Sequence, residues 1–292
     1  MSVRKKDIAI LLALLVVLVL CVRYFYKRID DDRRVVGMDP YSLIVPDPKA
    51  VLSINRPRVL GEMILPLPSI GKLFATHIPE ALLPFLREKP EYASLLMASY
   101  AQGDVLYIPM EKEVANYLFK QLDAAYPFAP QSREEAPITL YYYPEVDNRF
   151  LGCYYYEGIF VASYNRKLLM ETVARHQKSN PIPIPDLQKV ISKSKSATIN
   201  LFIPTETLDL HVSLNDTTEW SITDPWVGLD IFFSEGNICC YYEQPYEKMF
   251  DSLYPSIRDT ITARIIRLIP TIQVSTQMSH DDNWVYYTVS GK

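Results

Sequence analysis

Residues 138–143, 150–156 and 159–164 are three tyrosine-rich runs joined by connections too short for anything but a reversal of the chain. Pro144, Glu145, Val146, Asp147 and Asn148 make the first connection, and Glu157-Gly158 the second. A two-residue connection ending in glycine marks a β-hairpin, because such residues accept the positive φ that matches the twist of paired strands. Strands joined in this way run antiparallel. The middle of the chain is therefore committed to an antiparallel sheet. The 21 tyrosines, against 3 tryptophans, suit such a sheet. In a run such as Tyr154-Tyr155-Tyr156, alternate rings point to opposite faces. Cross-strand packing is the stronger reading of these runs, and a sugar-stacking or protein-contact surface the weaker one.

Other segments extend the pattern. Ala50–Ile54 is a short apolar strand ended by Asn55-Arg56-Pro57, and residues 104–110 form another. Residues 58–89 are broken by Pro66, Pro68, Pro79 and Pro84, which predicts several short helices. Val114, Leu118, Phe119 and Leu122 recur at helical spacing. A further helix starts near Arg166, with Leu169 and Val173 on one face. Pro181-Ile182-Pro183-Ile184-Pro185 is stiff and extended, and reads as the link between two halves. The second half carries strands at 198–203, 227–233 and 237–242, and a helix from Pro255 with Ile257, Ile261 and Ile265 on one side. It ends in a hairpin of 271–276 and 284–289, turned at His280-Asp281-Asp282-Asn283. The expected fold is α+β, with antiparallel sheets and flanking helices in two halves, 35–180 and 181–292, around one core. Strand, Glu157-Gly158, strand and helix in the first half echo strand, Glu235-Gly236, strand and helical segment in the second. A degenerate repeat and a chance likeness of hairpins explain that echo equally well.

The N-terminus has a different character. Residues 8–22 are an unbroken apolar run, and extension through Tyr26 gives a helix of roughly 28 Å, close to the hydrocarbon core of a bilayer. Arg23 would snorkel to the headgroups, with Tyr24, Phe25 and Tyr26 as an aromatic belt. No small-residue cleavage pattern follows the run, and Leu20 stands where a lipoprotein signal needs a small residue before Cys21. An uncleaved transmembrane helix is expected: residues 1–34 form anchor and flank, and residues 8–26 contact the membrane. Residues 1–34 hold eight Lys/Arg against four Asp, while the rest of the chain is acidic. Three basic residues precede the span, and Arg23, Lys27, Arg28, Arg33 and Arg34 follow it. That count alone would put the domain in the cytoplasm. The form of a short basic head, apolar run and large following domain is that of a signal-anchor. We read the chain as a single-pass protein of a bacterial inner membrane, its soluble domain in the periplasm.

The net charge of −4 argues against nucleic acid as a partner. Nine glycines and four histidines leave little room for phosphate loops or a histidine-rich metal centre. Ser69-x-x-Lys72 and Ser192-x-x-Lys195 match the serine–lysine spacing of acyl-enzymes, but the companion S-D-N and K-T-G motifs are missing, so both read as ordinary polar segments. His280, Asp281 and Asp282 read as a polar turn, because adjacent residues rarely converge on one ion. His77, His176 and His211 are scattered singles. No catalytic, cofactor-binding or metal residue is assigned, and no cofactor is expected. Neighbours Cys239 and Cys240 point to opposite faces of a strand, so one of them could meet Cys153 and cross-link the halves in an oxidising space. Buried apolar thiols are the plainer reading.

The segments Asp47-Pro-Lys-Ala-Val-Leu-Ser-Ile-Asn-Arg-Pro57 and Tyr156-Glu-Gly-Ile-Phe-Val-Ala-Ser-Tyr-Asn-Arg-Lys-Leu-Leu169 resemble single-pass envelope proteins of Bacteroidota that carry a domain of unknown function. The resemblance implies an N-terminal anchor and an exported α+β domain, and brings no catalytic residues. Asp216-Thr217-Thr218, Asp251-Ser252-Leu253 and Asp259-Thr260-Ile261 resemble periplasmic O-glycosylation sites of Bacteroides-type bacteria, where about one match is expected by chance. The expected function is that of a membrane-anchored envelope protein that binds or scaffolds without catalysis, with an envelope protein or polymer as partner. The alternatives are an envelope-polymer hydrolase, marked by two carboxylates about 5–9 Å apart in a deep pocket, and a lipid- or ligand-binding domain, marked by an apolar groove.

Overall fold

A computed structural model describes residues 38–60, 76–88, 94–145, 148–178, 181–208, 211–215, 218–221, 224–232, 237–243, 274–281 and 284–291, together with Arg23, Glu62 and Tyr92. In chain order it holds β1 (Ala50–Ile54), α1 (Leu83–Glu88), β2 (Leu95–Tyr100), β3 (Gly103–Pro109), α2 (Lys112–Ala125) and β4 (Gln131–Glu135). These are followed by β5 (Ile138–Pro144), β6 (Phe150–Tyr156), β7 (Ile159–Ser163), α3 (Arg166–His176) and α4 (Pro185–Ile191). The remaining strands are β8 (Ile199–Pro204), β9 (His211–Asn215), β10 (Thr218–Ser221), β11 (Trp226–Phe232), β12 (Asn237–Glu243), β13 (Val274–Asp281) and β14 (Trp284–Gly291). Single helical turns sit at Pro57–Val59, Glu80–Leu82 and Thr205–Leu208.

Among the described residues, twelve strands make one antiparallel sheet in the order β13-β14-β12-β11-β8-β1-β2-β3-β7-β6-β5-β4, and β9 and β10 pair as a separate two-stranded sheet. The fold is α+β, with a large antiparallel sheet and, among the described residues, few helices. Glu157 and Gly158, both at positive φ, close the β6–β7 hairpin, as its sequence requires. The strand order repeats about the central β1–β8 pairing, where Val51 faces Phe202 and Ile54 faces Ile199. Outward from β1 come β2, β3, β7 and β6; outward from β8 come β11, β12, β14 and β13. On each side the fourth and fifth strands are a later hairpin folded back so that its last strand meets the third. This order sets β6–β7 against β13–β14 and β2–β3 against β11–β12. The two Glu-Gly hairpins matched in the sequence therefore occupy different places in the sheet.

The sheet is covered on both faces. Val51, Ala98, Tyr107, Tyr154, Phe202 and Tyr241 lie under Leu168 and Val173 of α3 and Leu187 and Val190 of α4. On the other face Leu52, Met97, Ile108 and Phe160 pack with Phe85 and Leu86 of α1 and with Leu118 and Leu122 of α2. Ala115, Leu118 and Leu122 form the buried stripe of α2, at the spacing of one helix face.

Several expectations are corrected. The stretch 29–48, polar and then Pro-punctuated in sequence, suggests a short stalk, but Leu43, Ile44 and Val45 belong to the core and are almost wholly buried. Pro40–Leu43 is a helical turn capped by Asp39, whose carboxylate accepts from the Tyr41 N–H at 3.0 Å. Its exposed-looking carbonyls are tied down: the Tyr107 hydroxyl donates to Leu43 O at 3.4 Å, Tyr100 to Val45 O at 3.0 Å, and Arg175 to Ser42 O at 2.9 Å. Strands β2, β4, β9 and β10 and helix α4 are not anticipated by the sequence reading. The extended Pro-Ile-Pro link is shorter than expected, because Pro185 starts α4 at a first-turn position that needs no N–H. The last hairpin starts at Val274. The helix expected from Pro255 lies outside the described residues. So do residues 8–26, Arg23 excepted. Among the described residues no helix is long and apolar enough to cross a membrane.

Candidate functional site

A cleft of about 820 Å³ opens where the end of α2, the β5–β6 turn, the end of β7 and the segment Thr76 to Glu80 meet. Its size is that of a small-molecule site. Local chemistry brings its walls together. Pro127 disfavours helical geometry at Tyr126, so the chain leaves α2 with Tyr126 extended (φ −97°, ψ 135°). This swings Tyr126, Pro127 and Phe128 to the cleft, where Phe128 is 69% exposed. In the β5–β6 turn Asn148 takes φ 56°, a left-handed conformation that asparagine tolerates. The Glu145 N–H donates to Arg149 O at 2.8 Å, closing the turn.

Glu145 is the hub. One carboxylate oxygen accepts from the Tyr126 hydroxyl at 2.7 Å and from the Tyr164 hydroxyl at 2.6 Å. The other accepts from Arg149 at 3.4 Å, and the same guanidinium lies 4.2 Å above the Tyr164 ring. Burial first, and the Glu145 carboxylate second, raise the hydroxyl pKa values of Tyr126 and Tyr164 well above the usual tyrosine value. Both therefore stay protonated and donating. Tyr126 also packs on Tyr143, with ring centroids 5.0 Å apart, and the Tyr143 hydroxyl donates to Asp123 at 2.8 Å. The result is a fixed aromatic wall with a cation on its rim. Oε1 of Glu145 is filled by the two tyrosine hydroxyls that form that wall, and Oε2 takes the single bond from Arg149.

A second polar cluster lies inside the sheet. Asp230 of β11 is completely buried and accepts from Asn200 at 2.5 Å, Tyr241 at 3.0 Å and the Lys195 backbone N–H at 2.7 Å. Asn55 donates in turn to Asn200 and to Ala197 O, while Ser53 donates to Asn55 at 2.8 Å. Burial raises the Asp230 carboxyl pKa, and its hydrogen bonds and Lys195 oppose the shift. The cluster joins β1, β8, β11 and β12 with its donors and acceptors matched, which fixes strand register. Asp230 and Asn200 at its centre are almost wholly buried.

The residues singled out in the sequence are dispersed. The Ser192 hydroxyl donates to Lys189 O at 2.6 Å, while Lys195 offers its backbone N–H to Asp230 and its ammonium lies 6.0 Å from the Tyr286 ring centroid. Ser69 and Lys72 lie outside the described residues. His77 pairs with Asp104 at 3.0 Å. His176 is buried beside Tyr154, and His211 sits in β9. His280 and Asp281 end β13, opposite Val285 and Trp284, and Asp282 lies outside the described residues. Cys153, Cys239 and Cys240 are buried and free. β6 and β12 are separated by six intervening strands, about 34 Å at the usual strand spacing. A bridge from Cys153 to Cys239 or Cys240 is thus excluded, since a disulfide spans less than about 7 Å between Cα atoms. The tyrosines follow the cross-strand packing reading: Tyr143 and Tyr154 are buried, and Tyr141, Tyr142, Tyr155 and Tyr156 are half-buried.

No protein-family model matches the chain, and no curated protein matches it. Among solved structures, crystal form I of TP0453 aligns with 87% of this chain and 92% of its own, at 12% identity and a TM-score of 0.46. Crystal forms III and IV align equally widely at 14% identity and the same score, covering 95% and 94% of those chains. A likeness of that strength carries no argument about fold or activity.

Proposed function

We propose that the chain is a membrane-anchored envelope protein whose soluble domain binds its partner without catalysis, through the cleft around Glu145. The observation that carries this reading is the engagement of both Glu145 oxygens by Tyr126, Tyr164 and Arg149. A carboxylate spent on holding two tyrosines orients a surface rather than exchanging protons. The exposed Phe128 ring and the rim guanidinium supply apolar area and charge for an envelope protein or polymer. The apolar run 8–22, extended through Tyr26, supports the anchor, and the signal-anchor form supports a periplasmic domain.

The test places a photo-cross-linking residue at Phe128 in the full chain in cells, with one at Lys120 on α2 as control. The reading expects an adduct at 128 that Arg149→Ala weakens, and none at 120. Equal adducts at both positions would overturn it. Turnover of an envelope polymer that disappears in Glu145→Gln would replace it with a hydrolase. Protease added to spheroplasts checks the side: digestion of the domain behind a sealed inner membrane fits a periplasmic location, and protection until lysis contradicts it.

A further inference from the structure

We infer that the surface around Ile182 rests on the lipid headgroups of the membrane that holds the anchor. The inference depends on the anchored reading above. It starts from where the chain enters the domain. Because Ser42, Leu43 and Val45 are bonded through their carbonyls to Arg175, Tyr107 and Tyr100, the entry point at Met38 and Asp39 is fixed to one face of the sheet. By sequence, eleven residues separate Tyr26 from Met38, and Lys27, Arg28, Arg33 and Arg34 are among them. Basic residues beside a span bind anionic headgroups. Were Arg34 at that level, the four residue steps from Arg34 to Met38 would reach about 14 Å at most. The domain is thus held close to the bilayer by the face on which residues 38–45 lie.

Ile182 stands beside that entry point. One guanidinium nitrogen of Arg175 donates to both Ser42 O at 2.9 Å and Ile182 O at 2.5 Å, so the two carbonyl oxygens are within about 5 Å of each other. Ile182 is 79% exposed, an unusual state for isoleucine, while Ile184 turns in against the core. Pro181 and Pro183 flank it and stiffen the segment, so the side chain is displayed rather than left to fold back. The exposed Lys178 lies just before this segment, at the end of α3. An exposed apolar side chain four residues after an exposed lysine suits the boundary between headgroups and acyl chains.

The experiment uses the full chain in vesicles of phosphatidylcholine and phosphatidylglycerol, with Cys21→Ser as background. Cys153, Cys239 and Cys240 are buried, so a single fluorophore can be placed at Ile182→Cys or, on the opposite layer of the sheet, at Lys120→Cys. Brominated lipid is expected to quench the 182 label at least twofold and to leave the 120 label unchanged. Equal emission with and without bromine at 182, in vesicles that retain the protein after carbonate washing, would overturn this contact and leave the anchor standing. Loss of the protein on washing would overturn both.

Discussion

The ring of Tyr241 lies against the bare Cα of Gly228, its direct partner across the β11–β12 ladder. A methyl group on residue 228 would meet three atoms of that side chain at 2.3–2.7 Å. The absent side chain lets the ring lie over the neighbouring strand, so that its hydroxyl reaches Asp230 at 3.0 Å. The same pose stacks the ring on Tyr286, with centroids 6.2 Å apart.

Gly228→Ala should therefore destabilise the fold by about 1–3 kcal/mol through overpacking. The effect should shrink in the Tyr241→Ala background, because the clash partner is gone. A double-mutant cycle by urea unfolding measures it. Equal costs of Gly228→Ala in the two backgrounds would contradict the contact.

His176 gives the stability a pH slope. Burial holds its imidazole pKa down to about 4, against 6.5 unperturbed. Between about pH 4 and 6.5 the unfolded chain binds a proton that the folded chain refuses. Stability then rises with pH across that window and is fully present above it. The full loss on acidification below pH 4 should be on the order of 3 kcal/mol. Asp224, whose carboxyl burial pushes up to about 6, acts with the opposite sign: from 3.8 to about 6 the folded form keeps a proton that the unfolded form has released. Urea midpoints at pH 7 and pH 5 should differ less in His176→Gln than in the parent chain. Identical differences in the two would exclude His176 as the source.

The β1–β8 ladder is expected to make the two halves of the sheet one cooperative unit. Severing the chain within residues 181–184 should leave a single unfolding transition, since Leu52, Ile54, Ile199 and Phe202 are buried in the cores around that ladder. Calorimetry on the nicked protein checks this. Two transitions, assignable to 45–180 and 190–292, would contradict it.

Strand separation also governs the thiols. After oxidation in the folded state, Cys153 should remain alkylatable once the protein is unfolded, and Arg166 to Lys292 peptides should run free of it under non-reducing conditions. Mass spectrometry of the alkylated digest reads both.

Legibility in the sequence follows the range of the forces involved. The Glu157-Gly158 turn is local: its two positive φ angles are demanded by a two-residue hairpin, and the strands beside it sit where the sequence places them. β2 lacks such a signature. Leu95, Leu96, Met97 and Ala98 are buried on both faces of the sheet, and a short continuous apolar run does not distinguish strand from helix. β4 is a sheet edge of Gln131, Ser132, Arg133, Glu134 and Glu135, four of them exposed, and shows no alternation at all. The cleft is the least legible part. Tyr126 from the end of α2 and Tyr164 from the end of β7 converge on Glu145 of the β5–β6 turn, and no spacing along the chain announces that two tyrosines will share its carboxylate. Only the Glu145–Arg149 separation of four residues hints at a pair.

The embedding of residues 42–45 has a mechanical consequence. A tether that ended in a slack stalk would let the domain drift and absorb tension. Here a pull on the N-terminal chain is delivered to carbonyl contacts with Tyr100 on β2, Tyr107 on β3 and Arg175 on α3. Load therefore enters beside the middle of the sheet, and the cleft-bearing half takes it first; the half beyond β8 receives it only through the β1–β8 ladder. The first element to yield would be the seam that seals Leu43 and Ile44, and its opening would bare the core face beneath α3 while the hairpins stay paired.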